Sequence, residues 1–231
     1  MIFFARGRFA SVQAAFILTI LICGSIGMTF AASWILGRTV LRGEPSSFVL
    51  ELPPYRKPEI GKVIVRSLLD RTAFVLGRAV LTAAPAGILI WLCANISISG
   101  ESLLTAAASV LSRIGGMLGL DGTILLSFLL GIPANEIVLP VAVTAYLGAG
   151  VLTDYSSTEM LSELLTANGW TACTAVCYLV FTLFHWPCAT TLLTIRKETK
   201  STRLMLAAWI LPTLIGVTLC MLIHAVFGWI E

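Results

Sequence analysis

Four long stretches of this chain contain no Asp, Glu, Lys or Arg: residues 11–37, 79–100, 164–195 and 204–230. A helix needs about 20 apolar residues to cross the hydrocarbon core of a bilayer, and each stretch is long enough. A soluble core of this size could not hide all four. The 231 residues are 58% apolar and only 12% charged, against roughly 25% charged in an ordinary soluble domain. The sequence therefore predicts an all-α integral membrane protein. The stretch that follows Arg6 and Arg8 outruns the about 7–15 apolar residues of a signal-peptide core and leads directly into a basic segment, so it reads as a retained span. The net charge of +3 points to no nucleic-acid partner, because the cations sit in loops beside spans, where membrane topology places them. Cys23, Cys93, Cys173, Cys177, Cys188 and Cys220 all lie within apolar stretches, away from the loop spacings of a disulfide framework, and are expected as thiols.

The expected architecture is about four full spans plus a broken or re-entrant helical segment, with amphipathic helices at the interface. Residues 1–37 hold the first span. Residues 38–72 form a basic cytoplasmic connector; between 38 and 78 there are eight Lys/Arg and four acidic residues. Pro53, Pro54 and Pro58 remove amide donors there and bias their predecessors toward extended backbone. Beyond them Ile60, Val63, Ile64 and Leu68, interleaved with Lys62, Arg66 and Arg71, give the pattern of an interfacial amphipathic helix. Residues 73–121 contain the second span, about 73–96, and an outer connector in which 103–114 is weakly amphipathic. Asp121 then caps an apolar run, 122–130, that breaks at Gly131-Ile132-Pro133-Ala134-Asn135-Glu136 and resumes over 137–152. Residues 153–169 form an acidic outer loop and a short helix, with Ser156 and Glu159 at capping-box spacing. Residues 170–231 carry a third span to about 195, interrupted at His185-Trp186-Pro187-Cys188, then a loop with four cations at 196–203 and a last span, about 204–229.

Positive charge places 38–78 and 196–203 on the cytoplasmic side. The second span then exits and the third returns, so 122–152 has to begin and end outside. A single crossing fails this parity. Two half-length helices meeting at Pro133–Glu136, or two short spans, satisfy it. The same counting puts both termini outside. Irregular backbone at membrane depth is tolerated only where protein or a water-filled cavity surrounds it, which directs attention to the break.

Glu136 is the most informative residue. A carboxylate at a helix centre costs about 2.5–3.5 kcal/mol on insertion scales, and broken helices expose carbonyls and amides that transporters use to bind ions. Asn135 adds a neutral oxygen donor. Glu136 can thus line an ion pathway, or it can be a structural carboxylate hydrogen-bonded to the freed amides of its own break. Pro187 opens a second break, near the Leu183 carbonyl. Cys188 beside it offers a soft ligand and His185 an imidazole, both suited to divalent transition metals. On a continuous helix, His185 and Cys188 would share a face, and Cys177 and Cys173 could extend a sulfur-lined track below them. Each cysteine can equally be a small apolar residue. His224 reads as interfacial. Candidate pathway residues are therefore Pro133, Asn135, Glu136, His185, Pro187 and Cys188, with Glu136, Cys188 and His185 as candidate metal ligands. There is no C-x-x-C element and no G-x-x-x-x-G-K-[ST] loop, so neither tight structural zinc nor nucleotide hydrolysis is expected of this chain, and it does not read as an enzyme.

Four strings resemble one family. GEPSSFVLELPPYRKP (43–58) looks like the cytoplasmic connector of ferrous iron transport protein B, FeoB, and DGTILLSFLLGIPANEIVLPV (121–141) like its central broken segment. LTDYSSTEMLSELLTANGWT (152–171) and LFHWPCATTLLTIRKETKS (183–201) resemble its last outer loop and its second gate motif. They occur in the family's order over nearly the whole chain. The resemblance implies the C-terminal part of the membrane domain of an Fe²⁺ permease in the bacterial inner membrane. Pro187-Cys188 would be its second gate, and Fe²⁺ the transported ion rather than a resident cofactor. It also implies a GTP-binding domain, a coupling helical domain and a first gate that are not in this sequence. The expectation is a fragment or a split subunit, with the lipid bilayer, a GTPase-bearing chain or missing N-terminal portion, and further copies of itself as partners. GTP would enter only through that other portion. The alternatives are a nucleoside-type or other solute carrier, with Asn135 and Glu136 hydrogen-bonding an organic substrate, and a non-transporting assembly or regulatory membrane protein. Charge and periodicity give a broken polar segment near a Cys-containing kink; only the resemblance says iron.

Overall fold

A computed structural model describes residues 10–39, 60–66, 69, 72–98, 100–148 and 157–230. The proline-rich connector, Arg6, Arg8, Ser156 and residues 149–152 lie outside the described residues. Among the described residues there are ten α-helices: α1 (Ala10–Thr39), α2 (Ile60–Arg66), α3 (Phe74–Asn95), α4 (Leu103–Met117), α5 (Gly122–Leu130), α6 (Val138–Leu147), α7 (Thr158–Ala167), α8 (Ala172–Phe184), α9 (Ala189–Thr199) and α10 (Thr202–Ile230). The only strands among the described residues are β1 (Ser97–Ile98) and β2 (Glu101–Ser102), a minimal antiparallel ladder that turns the chain from α3 into α4.

The helical class expected from composition is present. Among the described residues three helical stretches, Ser11–Arg38, Ala172–Thr199 and Thr202–Trp229, are long and apolar enough to cross a bilayer. The predicted second span is a continuous 22-residue helix, α3. Large apolar side chains on α1 and α10 are exposed, including Phe16, Phe30, Leu214 and Val226, as lipid-facing side chains would be.

The contacts divide the chain into two compact units, Ile22–Leu81 and the remainder. In the smaller one, the Arg38 guanidinium lies 4.1 Å from the centroid of the Trp34 ring, a cation–π pair at the end of an apolar helix. Helix α2 starts where the amphipathic pattern begins and is followed in its described part to Arg66.

The larger unit is organised around α5, whose Ile124 and Phe128 are almost fully buried. Helix α4 is bent by 108° to α5, and two glycines make that corner sterically feasible. A Cβ on Gly122 would stand 1.9 Å from the Ala108 carbonyl oxygen, and one on Gly115 would stand 2.8 Å from the Asp121 carbonyl carbon. The predicted amphipathic stretch 103–114 is thus the first part of a 15-residue helix packed across α5. Helix α6 folds back on α5, and α10 runs against both α8 and α9. Gly216 lets α10 approach the end of α8, since a Cβ there would lie 3.1 Å from Phe184 Cβ.

Two boundaries differ from the sequence reading. The run after the first break stops at Leu147, because Gly148 takes a left-handed conformation with φ 60°, which glycine adopts without a Cβ penalty. The acidic-loop helix is capped by Ser157, whose side chain accepts from the Met160 N–H at 3.2 Å. The capping-box spacing of Ser156 and Glu159 is therefore one residue out of register with the cap that forms.

Candidate functional site

Asp121 is extended and its Oδ1 accepts from the Ile124 N–H at 2.6 Å, the N-cap read from the sequence. Its second oxygen accepts from the Tyr146 hydroxyl, and Tyr146 in turn accepts from Trp170 Nε1 at 2.9 Å. Asp121 begins α5 and Tyr146 lies one residue before the end of α6. The two ends of the broken segment are therefore bonded together, and the segment is a hairpin. At a rise of about 1.5 Å per residue, helices of 9 and 10 residues reach only about half of a roughly 30 Å hydrocarbon core.

The hairpin tip is the first break. Gly131 closes α5, a Cβ on it would meet Val138 Cγ2 at 2.5 Å, and Asn135–Ile137 forms a single 3-10 turn before α6. Pro133 and Asn135 are half-buried there, while Glu136 is exposed.

The second break lies between α8 and α9. Pro187 has no backbone N–H and disfavours helix in the residue before it. Helix α8 accordingly ends at Phe184, with His185 extended at φ −71°, ψ 176°. Cys188 is the N-cap residue of α9, and its sulfur lies 3.1 Å from both the Thr190 and Thr191 hydroxyls. This corrects the continuous-helix argument. His185 and Cys188 stand on opposite sides of an interruption, so helical periodicity does not place them, or Cys177, on one face. Cys173 and Cys177 instead face α10. Cys173 Sγ is 3.8 Å from His224 Nδ1, and Cys177 and Cys220 each direct their thiol to the other's carbonyl, at 3.8 and 3.4 Å. No disulfide joins the six cysteines.

The fold brings the two breaks together. The Ala189 N–H, at the start of α9, donates to the Ile132 carbonyl at 2.9 Å. An orphan amide of one helix start is thus satisfied by a carbonyl that the other break releases. Phe128 reinforces the junction, packing edge-on against Phe181 at 4.8 Å and against the His185 ring at 5.1 Å. Such aromatic pairs are worth about 0.5–1.5 kcal/mol beyond their burial.

Among the described residues, the buried side-chain polar atoms without a protein partner are Asn135 Oδ1, His185 Nε2 and Trp186 Nε1. All three belong to the two breaks. His185 Nδ1 lies 2.8 Å from the Thr182 carbonyl, an acceptor only, so Nδ1 carries the proton and Nε2 presents a lone pair. That is the tautomer in which imidazole binds metal. Trp186, 8% exposed, is the residue that sequence reasoning passed over; its place between His185 and Pro187 was the available signal. Among the described residues no three His, Cys, Asp or Glu side chains are grouped to hold a metal, so Glu136, His185 and Cys188 do not form a ready-made ligand cluster.

Comparison with known proteins follows the same lines. Residues 17–70 match the family described as ferrous iron transport protein B C terminus. An Fe(2+) transporter FeoB of Staphylococcus aureus (strain MSSA476) is 24% identical over 226 residues, covering 93% of this chain and 32% of that protein. The Synechocystis protein of that name is 28% identical over 193 residues (82% of this chain, 30% of the relative), and that of Methanocaldococcus jannaschii 23% over 209 (84% and 30%). No solved structure matches. The chain spans about a third of the length of these relatives. The family match and the coverage by relatives bear out the resemblance carried by the four strings: residues 17–70 are similar to the C terminus of ferrous iron transport protein B, and most of the chain is similar to part of Fe(2+) transporters FeoB.

Proposed function

We propose that the chain forms part of a membrane pathway that admits Fe²⁺ to the bacterial cytoplasm, and that the ion passes the junction of the two breaks. The observation that supports this is the location of the three partnerless buried polar atoms, all at breaks bonded to each other through Ala189 and Ile132. Leaving a buried polar group unsatisfied costs about 1–3 kcal/mol, and two of the three, Asn135 Oδ1 and His185 Nε2, carry lone pairs a cation can take, so their confinement to one junction favours a transient ligand there. Asn135 Oδ1 and the freed carbonyls are oxygen donors, His185 Nε2 is a nitrogen donor, and Cys188 is a sulfur donor. A series of incomplete sites of this kind holds a partly dehydrated Fe²⁺ weakly enough to release it.

On this reading the hairpin α5–α6 enters from the outer side and returns, the basic loops 38–78 and 196–203 face the cytoplasm, and α1, α3, α8–α9 and α10 cross the inner membrane. Relative movement of the breaks, centred on the Ala189–Ile132 hydrogen bond, gates the path. A GTPase-bearing partner or preceding portion, together with a first gate, drives that movement. Fe²⁺ uptake into proteoliposomes, with and without a co-expressed GTPase-bearing chain, tests the proposal. Uptake should require the partner and fall at least tenfold in Glu136→Ala, His185→Gln and Cys188→Ser at unchanged membrane abundance. Wild-type rates in all three variants would remove the junction from the pathway, and no uptake under either condition would remove the permease role.

A further inference from the structure

At the opposite end of α8 from the junction, the turn Leu118–Asp121, the start of α8 and the end of α10 enclose a cavity of about 350 Å³. Among its lining residues are Asp121, Trp170, Cys173 and His224. We propose that Cys173 and His224 form a binding site for a divalent transition-metal ion on the wall of this cavity. The site takes the ion before it reaches the junction.

The separation of the donors carries the proposal. Metal–sulfur and metal–nitrogen bonds of about 2.3 and 2.05 Å, meeting at a tetrahedral to trigonal angle, put the two ligand atoms about 3.6–3.8 Å apart. Cys173 Sγ and His224 Nδ1 are 3.8 Å apart across two different helices. An ion can therefore sit between them without movement of either backbone. Binding replaces the thiol proton: the cation forms one bond to the Cys173 sulfur and one to the imidazole nitrogen, and a single proton is released.

Gly119 keeps this wall accessible. Its φ of 68° is left-handed, and a Cβ on it would lie 3.0 Å from Cys177 Sγ and 3.1 Å from His224 Nδ1. A side chain at position 119 would thus occupy the space beside the donors. The neighbouring carboxylate is committed to the fold, one Asp121 oxygen accepting from the Ile124 amide and the other from Tyr146. With two protein donors and, among the described residues, no third His, Cys, Asp or Glu grouped with them, the remaining positions belong to water, and the ion stays exchangeable. Thiolate with imidazole favours Fe²⁺, Co²⁺ and Zn²⁺ over Mg²⁺ and Ca²⁺, so the site discriminates at the entrance. Twelve residues of rise separate Cys173 from His185, about 18 Å along α8. Exposed Glu159 and Glu163 on α7, the helix that leads into the cavity-lining turn Asn168–Trp170, add negative charge that concentrates cations.

As an entry station the site rests on the permease reading, whereas its test uses no transport, so either can fail alone. The purified full chain in detergent is titrated with Co²⁺ while thiolate-to-cobalt charge-transfer absorption is recorded. The band should appear in wild type and in Cys188→Ser and disappear in Cys173→Ser. His224→Gln should weaken Co²⁺ binding at least tenfold, and Gly119→Ala should weaken it with both ligands retained. No band in wild type, or a band that survives in Cys173→Ser, overturns the proposal. A second readout does not depend on variants folding well. In wild-type protein, Co²⁺ should slow maleimide alkylation of Cys173, mapped by mass spectrometry, while Mg²⁺ at the same concentration should not. Equal alkylation with and without Co²⁺ also overturns it.

Discussion

Tyr146→Phe tests whether the hairpin is pinned at its base. In the folded chain one hydroxyl donates to the Asp121 carboxylate and accepts from Trp170 Nε1. The substitution keeps the ring, whose body packs against the main core, and deletes both hydrogen bonds. A hydrogen bond to a charged group contributes about 1.5–3 kcal/mol and a neutral one about 0.5–1.5, so the loss should be roughly 2–4.5 kcal/mol. A chain of this size loses about 2–4 °C of melting temperature per kcal/mol, which converts to a fall of roughly 4–18 °C. The measurement is thermal unfolding of detergent-solubilised protein, followed by tryptophan fluorescence. Ser109→Ala is the control, because that exposed hydroxyl bonds the Ala106 carbonyl of its own helix. A Tyr146→Phe melting temperature within 1 °C or so of the control would refute the reasoning, since a pin worth even 1 kcal/mol would be visible.

Other consequences follow from single atoms. Asn135→Leu removes a buried acceptor with no protein partner and keeps the branched shape and heavy-atom count, so it should raise the melting temperature or leave it unchanged while lowering Fe²⁺ uptake; a loss of stability would show that the amide is structural. Gly122→Ala forces a methyl into the Ala108 carbonyl and should cost at least about 1–3 kcal/mol, read as a lower melting temperature and reduced membrane abundance. Ser157→Ala removes the α7 cap and should cost about 1 kcal/mol, detected as faster amide exchange in α7 with α8 unaffected.

The residues that end helices were legible because their effects are local. Pro187 predicts the end of α8 from its missing amide, Asp121 predicts the start of α5, and Pro133 with Asn135 predicts a break before α6. The misplaced cap at Ser156 marks the limit of spacing rules: only Ser156 has a glutamate three residues on, yet Ser157 takes the extended conformation and caps the helix. His224 reads as interfacial from its place near the outer end of the last span, and its neighbour Cys173, 51 residues away, is invisible to that local reading. The continuous-helix track through Cys177 and Cys188 went wrong in the opposite direction. It carried helical periodicity across a proline break that the sequence itself displayed.

The sequence alone determined that the chain is helical, that it belongs in a membrane, and where its helices are interrupted. These follow from hydrophobic length, charge spacing and missing amide donors, which are properties of short segments. Tertiary structure alone decided that the ends of the broken segment meet through Asp121 and Tyr146. It also decided that the Ile132 carbonyl receives the Ala189 amide, and that Cys173 faces His224. Each of these pairings depends on how closely elements can approach, and a Cβ on Gly131 at the hairpin tip would crowd Val138, just as one on Gly119 would crowd Cys177 and His224. Such distances are three-dimensional consequences of packing, and no local pattern in the sequence encodes them.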